Sequence, residues 1–134
     1  MKKLSILEDL IPLLPTSPFQ VRLDNKNMEK NIVVLSENLG FSYSDELING
    51  EQEKTFSSEI AAYVSSDEKN ANFDSIYAFL EGFFENIRAK DGQVLGNKKI
   101  VNVGFVSPFG YLGRDKNGDF TFILNLQIDF EIIE

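Results

Sequence analysis

The last part of the chain, from Asp119 to Ile132, alternates between apolar and polar side chains. The apolar positions of the alternation are Phe120, Phe122, Leu124, Leu126, Ile128, Phe130 and Ile132. The intervening positions are Asp119, Thr121, Asn125, Gln127, Asp129 and Glu131, with Ile123 as an apolar exception. Because successive side chains of a strand point to opposite faces, this pattern predicts a long strand with one apolar and one hydrophilic face. Such a strand needs an apolar layer to lie against.

The segment Phe73–Lys90 supplies that layer as an amphipathic helix. Its apolar residues recur at helical spacing, and they are Ile76, Phe79, Leu80, Phe83 and Ile87. This periodicity is typical of a helix that buries one face. We expect Asp74 to cap its N-terminus and Gly92 to end it. Gly82 costs about 1 kcal/mol relative to alanine at a helix interior, which a close approach to the sheet would explain.

Other segments predict shorter elements. Leu4, Leu7, Ile11 and Leu14 share one face of a short N-terminal helix, which the prolines that follow would end. The expected strands are Phe19–Leu23, Ile32–Leu35, Phe56–Ser65, Val101–Phe105 and Tyr111–Arg114. The segment Asp115–Gly118 predicts a tight turn into the last strand. Asp115, Asn117 and Asp119 match the start of a calcium loop, but its sixth and twelfth positions do not fit, so we prefer the turn.

The stretch Glu37–Lys54 shows little apolar periodicity, and we expect a long excursion with a hairpin around Asn49–Gly50. It is rich in acidic residues, among them Asp45, Glu46, Glu51 and Glu53. A run of charge is usually a solvated face. In this chain it is also a candidate interface.

The order of these elements has no alternation of strand and helix typical of a parallel doubly wound sheet. We therefore predict an α+β fold: a mostly antiparallel sheet with an N-terminal helix and one main helix packed on one face. At 134 residues, the chain is expected to form a single domain over residues 1–134.

Composition narrows the chemistry that is available. The chain has no cysteine and no histidine, which removes disulfides, thiolate catalysis and the commonest general base and transition-metal ligand. Its net charge of −8 disfavours nucleic-acid binding. No apolar run approaches the roughly 20 residues that span a bilayer. We expect no catalytic site, no cofactor and no metal.

The segment Pro108–Tyr111 places two aromatic residues in a frame of proline and glycine. Such a segment fits a protein-contact element, with Phe109 and Tyr111 as the contact residues. The alternative is that both rings fold back to cap the sheet. The sequence leaves these two interpretations open.

Several features together resemble one protein family. They are the segment Asp45–Ala62 (DELINGEQEKTFSSEIAA), the SSDE loop, the helix ANFDSIYAFLEGFFENI, a strand ending in Ser107-Pro108-Phe109, and the Asp115–Gly118 turn. In this order, they resemble the small minor capsid or tail-completion proteins of phages of Gram-positive bacteria, which are similar in layout to tail terminators. The resemblance covers roughly residues 41–134.

The resemblance implies a ring, usually of six subunits, that caps the head-proximal end of a phage or phage-like tail tube and joins it to the neck or collar. Its partners would be further copies of itself, the tail tube protein, a sheath protein where there is one, and the neck or head connector. DNA would pass through without specific binding, and no membrane is involved. The protein would be assembled in the host cytoplasm and reside in the virion tail or neck.

The residues fit this role in three ways. The acidic balance suits a pore wall, because like charge repels phosphates. The terminal strand would offer an edge for pairing with a neighbour. Its hydrophilic face, with Thr121, Asn125, Gln127 and Asp129, would line a lumen.

Three alternatives remain. The chain could be an adjacent neck or head–tail connector component, a small acidic protein-binding module of the immunity type, or an enzyme that works with converging carboxylates. Only the first shares the assembly role. The enzyme would need acids that converge in an apolar pocket, and nothing in the sequence indicates their burial.

Overall fold

The computed structural model describes residues 5–15, 19–23, 31–43, 54–67, 69, 72–116 and 118–133. Its helices are α1 (Leu7–Leu10), which continues as a 3-10 turn at Ile11–Leu13, and α2 (Phe73–Arg88). Its strands are β1 (Gln20–Leu23), β2 (Ile32–Tyr43), β3 (Lys54–Ser66), β4 (Val94–Leu95), β5 (Lys98–Arg114) and β6 (Phe120–Ile132).

The strands form one curled six-stranded sheet in the order β1-β2-β3-β6-β5-β4. All neighbours are antiparallel except β1 and β2, which are parallel. The predicted α+β class with a mostly antiparallel sheet is confirmed. The terminal strand β6, however, lies between β3 and β5, so the expectation that it offers a free edge is wrong.

The central place of β6 follows from its apolar face. Side chains from Phe122 to Phe130 on that face are buried under α2 together with their partners on β3. Phe56 and Phe130, which pair across the two strands, stack with ring centroids 5.6 Å apart. The opposite, open face of the sheet carries the hydrophilic residues of β6. The flanking strands β3 and β5 partly cover these hydrophilic residues. The half-buried positions are Thr121, Asn125, Gln127 and Asp129.

The strand β2 is longer than predicted. Residues 37–43 belong to it, which corrects the predicted excursion from Glu37 onwards, and its register with β3 extends from Ile32↔Ser65 to Tyr43↔Lys54. Glu37 fits on the core side because its Oε2 accepts hydrogen bonds from Ser58 Oγ at 3.0 Å and from the Ile6 N–H at 3.3 Å. The two strands pair antiparallel, and the predicted turn at Asn49–Gly50 lies outside the described residues.

The strand β5 is continuous where the sequence predicted a break. The segment 107–110 lies within it, and the register with β6 shifts between Val106 and Phe109. Gly110 has φ +128 and lies under the Tyr77 ring, whose Cε1 would be 3.6 Å from a β-carbon at this position. The segment 107–110 therefore forms a bulge within the strand, where we expected a loop. The turn at Asp115–Gly118 is confirmed, with the Gly118 N–H donating to the Asp115 carbonyl at 3.0 Å.

The N-terminal segment packs against α2 in a different phase from the one predicted. Ile6, Leu7 and Leu10 are buried, whereas Ile11 is 39% exposed, because α1 lasts one turn before it tightens into the 3-10 turn. Gly82 is close to this segment and not to the sheet: a β-carbon on it would lie 3.2 Å from Pro15 Cγ.

The cap of α2 also differs from the prediction. Asn72 is the N-cap, and its Oδ1 accepts the N–H of Ser75 at 3.1 Å, so Asp74 lies within the first turn. The buried face of α2 is the predicted one.

Replacing Asn72 with alanine should lower the free energy of unfolding by about 1 kcal/mol, because the Ser75 N–H loses its acceptor. Asp74→Ala is the matched control and should cost only a few tenths to 1 kcal/mol, through the helix dipole. Urea unfolding of both variants measures the difference. A larger loss for Asp74→Ala would contradict the assignment of the cap.

Candidate assembly surface

The outer edge of β5 is uncovered over most of its length. The short strand β4 pairs with Lys98 and Lys99 alone. Ile100 also bonds to Gly92 and Gln93, and from Val101 to Arg114 no other strand of the described part of the chain pairs with this edge. An unpaired edge presents backbone N–H and C=O groups to any strand that can reach it.

Exposed apolar side chains concentrate on the same strand. Those of β5 are Val101, Phe105, Val106, Phe109, Tyr111 and Leu112, each 37% to 53% exposed. They make up six of the eleven large hydrophobic side chains that are exposed in the described part of the chain. Phe105 and Phe109, whose ring centroids are 6.2 Å apart, form an exposed apolar patch, and such a patch on a folded chain is typical of an interaction site.

Phe109 and Tyr111 pack against the aromatic core and also remain partly exposed. Tyr111 packs one side against Phe73 and Phe122, with ring centroids 5.0 Å and 5.3 Å away, and Phe109 lies 6.2 Å from Tyr77. Both rings are nevertheless about 40% exposed. The aromatic core therefore fixes the position of rings whose other side is free for a partner.

The strand β5 is basic in an acidic chain. Its sequence holds Lys98, Lys99 and Arg114 and no acidic residue, while the chain carries a net charge of −8. The Arg114 guanidinium lies over the Phe120 ring at 4.5 Å, a cation–π distance. Lys98 is fully buried and paired with Asp9, so the exposed charges of the strand are Lys99 and Arg114, near its two ends.

The opposite side of the sheet has a second uncovered edge. The strand β1 pairs only with Ile32–Leu35 of β2. Beyond them, the segment from Ser36 to Tyr43 has β3 on one side and, among the described residues, no strand on the other. Sequence reasoning missed this edge, because it placed Glu37 and the residues after it outside the sheet.

The open face of the sheet holds a shallow pocket of about 330 Å³. Ser36, Glu59, Ala61, Val106 and Asn125 are among the residues that line it. Of these lining residues, Glu59 and Val106 are exposed.

The remaining predicted interface residues divide into two groups. Asp45, Glu46, Glu51 and Glu53 lie outside the described residues. Thr121, Asn125, Gln127 and Asp129 lie on the open face, where Gln127 Nε2 donates to Asp129 Oδ1 at 3.0 Å.

The described residues provide little for metal or buried acid–base chemistry. Within them, no group of three acidic side chains could hold a metal ion, and every buried polar side-chain atom has a hydrogen-bond partner. At the calcium-like turn, Asp115 Oδ1 accepts the N–H of Asp119 at 3.1 Å, as the hairpin interpretation requires.

Comparison with known proteins adds no assignment. The chain matches no protein-family model, and a search of the curated proteins gives no match. In the described ranges, none of the helices has the length and apolar character needed to cross a membrane.

Proposed function

We propose that the chain is a structural tail terminator or tail-completion protein. Copies of it would form a ring, of six subunits in the family it resembles, at the head-proximal end of a phage or phage-like tail tube. The ring would join the tube to the neck or collar and would reside in the virion tail or neck. The role is steric and involves no bond chemistry.

The observation that carries this proposal is the pair of uncovered edges at opposite sides of one sheet. One edge belongs to β5 and the other to β2, and among the residues that the structure describes no further strand pairs with either uncovered part. A contact that joins two different surfaces of the same chain is heterologous, and such contacts close into a ring when the rotation per subunit divides a full turn. A chain with a single open edge would instead favour a two-fold dimer.

The surface of the sheet supports the same role. Its open face presents Glu59, Asn125, Gln127 and Asp129. With the net charge of −8, a wall built from this face would repel phosphates and let DNA pass without binding it. The half-buried aromatic rings of β5 offer a second, apolar surface for the tube or the neck.

The test uses tail tubes assembled from the major tube protein without a terminator. We expect the purified chain to add a ring to one end of each tube in negative-stain electron micrographs and to stop elongation when further tube protein is supplied. Tubes that keep growing and stay bare at both ends would refute the proposal. A chain that binds one soluble partner as a 1:1 complex and ignores tubes would support the immunity-type alternative.

A single edge substitution should separate assembly from folding. Val106→Lys places a charge on the uncovered edge of β5, and charged side chains block edge pairing. We expect the concentration required for capping to rise about tenfold or more, equivalent to about 1.4 kcal/mol or more. Ala78→Lys, on the exposed side of α2, adds the same charge and should cap like the parent chain. Equal capping by both variants would exclude this edge from the contact.

A further inference from the structure

The uncovered parts of the two edges lie in the same rows of paired residues across the sheet. The pairings place Val106, Asn125, Ala61 and Ser36 in one row across β5, β6, β3 and β2. A second row lies four residues further along β2. It contains Asn102, Asp129, Ser57 and Gly40. The segment Asn102–Val106 on one side of the molecule therefore matches the segment Ser36–Gly40 on the other.

Irregular backbone bounds this window on β5. The register with β6 shifts between Ile100 and Asn102 and again between Val106 and Phe109. Bulges on an edge strand hinder pairing with other chains. Between these shifts, Asn102–Val106 keep a regular register, so this short stretch is the part of the edge that is suited to a new strand.

The strand directions decide the geometry of such a contact. Because each neighbour from β2 to β5 is antiparallel, β2 runs opposite to β5. A second copy placed so that its sheet continues the first would therefore bring its β2 antiparallel to the first copy's β5. Antiparallel pairs form nearly perpendicular, well-directed hydrogen bonds.

We propose that Asn102–Val106 of one copy pairs antiparallel with Ser36–Gly40 of a second copy, so that the sheet continues from subunit to subunit. This deepens the proposed function, since it names the contact that would build the ring. In this pairing, the helix-bearing faces of the two sheets lie on the same side. Val103 and Phe105 of one copy come beside Leu39 of the other on that side.

The second copy fits this edge better than an unrelated strand because its β2 window lies in the same rows of the sheet and runs opposite to β5. The window Asn102–Val106 carries no charge, and Glu37, the only charged residue of β2, lies on the core side, so the pairing opposes no like charges. On β3, the exposed Glu59 lies next to Asn38 of the β2 window. The window on each edge has the same length, so neither partner leaves unpaired backbone in it.

The lack of cysteine makes the pairing directly testable. Gly104 and Asn38 fall opposite each other in this register, and Asn38 is exposed. A β-carbon at Gly104 meets no atom within 4 Å, and this glycine is not among those with positive φ, so Gly104→Cys is tolerated. Residues directly opposite on antiparallel strands approach closely enough for an oxidised cross-link.

The experiment compares four preparations of the full-length chain under mild oxidation, with and without tail tubes. The double variant Asn38→Cys/Gly104→Cys should form a ladder of multimers on a non-reducing gel. An equal mixture of the two single variants should form dimers, and either single variant alone should stay largely monomeric. A matched double variant, Asn38→Cys/Ala78→Cys, should not form the ladder.

The outcomes separate this contact from the proposed function. Rings that cap tubes without the mixed cross-link would overturn the pairing and leave the function standing. The mixed cross-link with tubes left uncapped would support the pairing and refute the function. Self-cross-linking of either single variant to the extent of the mixture would also overturn the pairing. So would capture of the tube protein, in place of a second copy, by the Gly104→Cys variant.

Discussion

Replacing Phe122 with alanine is expected to lower the free energy of unfolding by about 3–5 kcal/mol. Phe122 is fully buried on the central strand β6. The rings of Phe73 and Tyr77 meet it edge-on, with centroids 5.0 Å and 5.7 Å away, and Tyr111 lies at 5.3 Å. Alanine would remove the ring that these three share and leave a cavity between α2 and the sheet. Urea unfolding followed by circular dichroism measures the loss.

Phe105→Ala is the matched control for this prediction. Phe105 contacts Phe84 and Phe109 at ring centroid distances of 6.0 Å and 6.2 Å, but 53% of it is exposed. Its removal should cost less than about 1 kcal/mol, since little additional apolar surface reaches water. Comparable losses for the two variants would show that the aromatic rings around Phe122 do not form the main core.

The elements with the strongest periodicity could be predicted from the sequence. The alternation of Phe120–Ile132 and the helical spacing in Phe73–Arg88 both report directly on burial, because in each the apolar face lies against the other. The turn before the last strand could also be predicted, because its hydrogen bond joins residues close in sequence. These features depend on residues that are close in sequence.

Features set by long-range pairing could not be predicted in the same way. Alternation identifies β6 as a strand but does not tell which strands flank it, so its central position was missed. Glu37 looked like the start of a loop because its acceptor role depends on Ser58, 21 residues away. Asp74 and Asn72 are both good caps, and only the backbone of Asn72 and its bond to the Ser75 N–H distinguish them.

The candidate surface was predicted in part. Phe109 and Tyr111, for which the sequence left two interpretations open, pack against the aromatic core and are about 40% exposed, and a role of theirs in an interface stays a prediction. The lysine pair Lys98–Lys99 gave no hint that one member is fully buried, since its partner Asp9 is 89 residues away. The uncovered edge of β2 had no local signal either.

The N-terminal segment is tied to the sheet and to α2 by polar contacts that the sequence did not suggest. Glu37 Oε2 accepts a hydrogen bond from the Ile6 N–H, and Asn86 Nδ2 donates to the Leu13 carbonyl at 2.7 Å. An ion pair joins Lys98 Nζ to Asp9 Oδ2 at 3.0 Å, at the start of β5, where β4 pairs with it. This segment therefore helps to set the position of the strand that we propose for assembly.

Replacing Asp9 with alanine should lower the free energy of unfolding by about 3 kcal/mol, because it leaves a buried charge without its counter-ion. The Lys98 side chain is 0% exposed and would keep only Asn97 Oδ1, at 2.7 Å, and the Phe130 ring, at 5.8 Å. In a domain of this size, the melting temperature should fall by about 10 °C. The exposed Asp91 gives the control, and Asp91→Ala should stay within about 0.5 kcal/mol of the parent.

The double variant Asp9→Ala/Lys98→Met tests the cause of that loss. Replacing both members of a buried ion pair by apolar groups is often nearly neutral, because no charge then needs compensation. We expect the double variant to regain most of the lost stability, whereas a role for Asp9 through packing alone predicts no recovery. A double variant that is less stable than Asp9→Ala, or an Asp9→Ala loss no larger than that of Asp91→Ala, would contradict the assignment of the pair as the main tie between the N-terminal segment and β5.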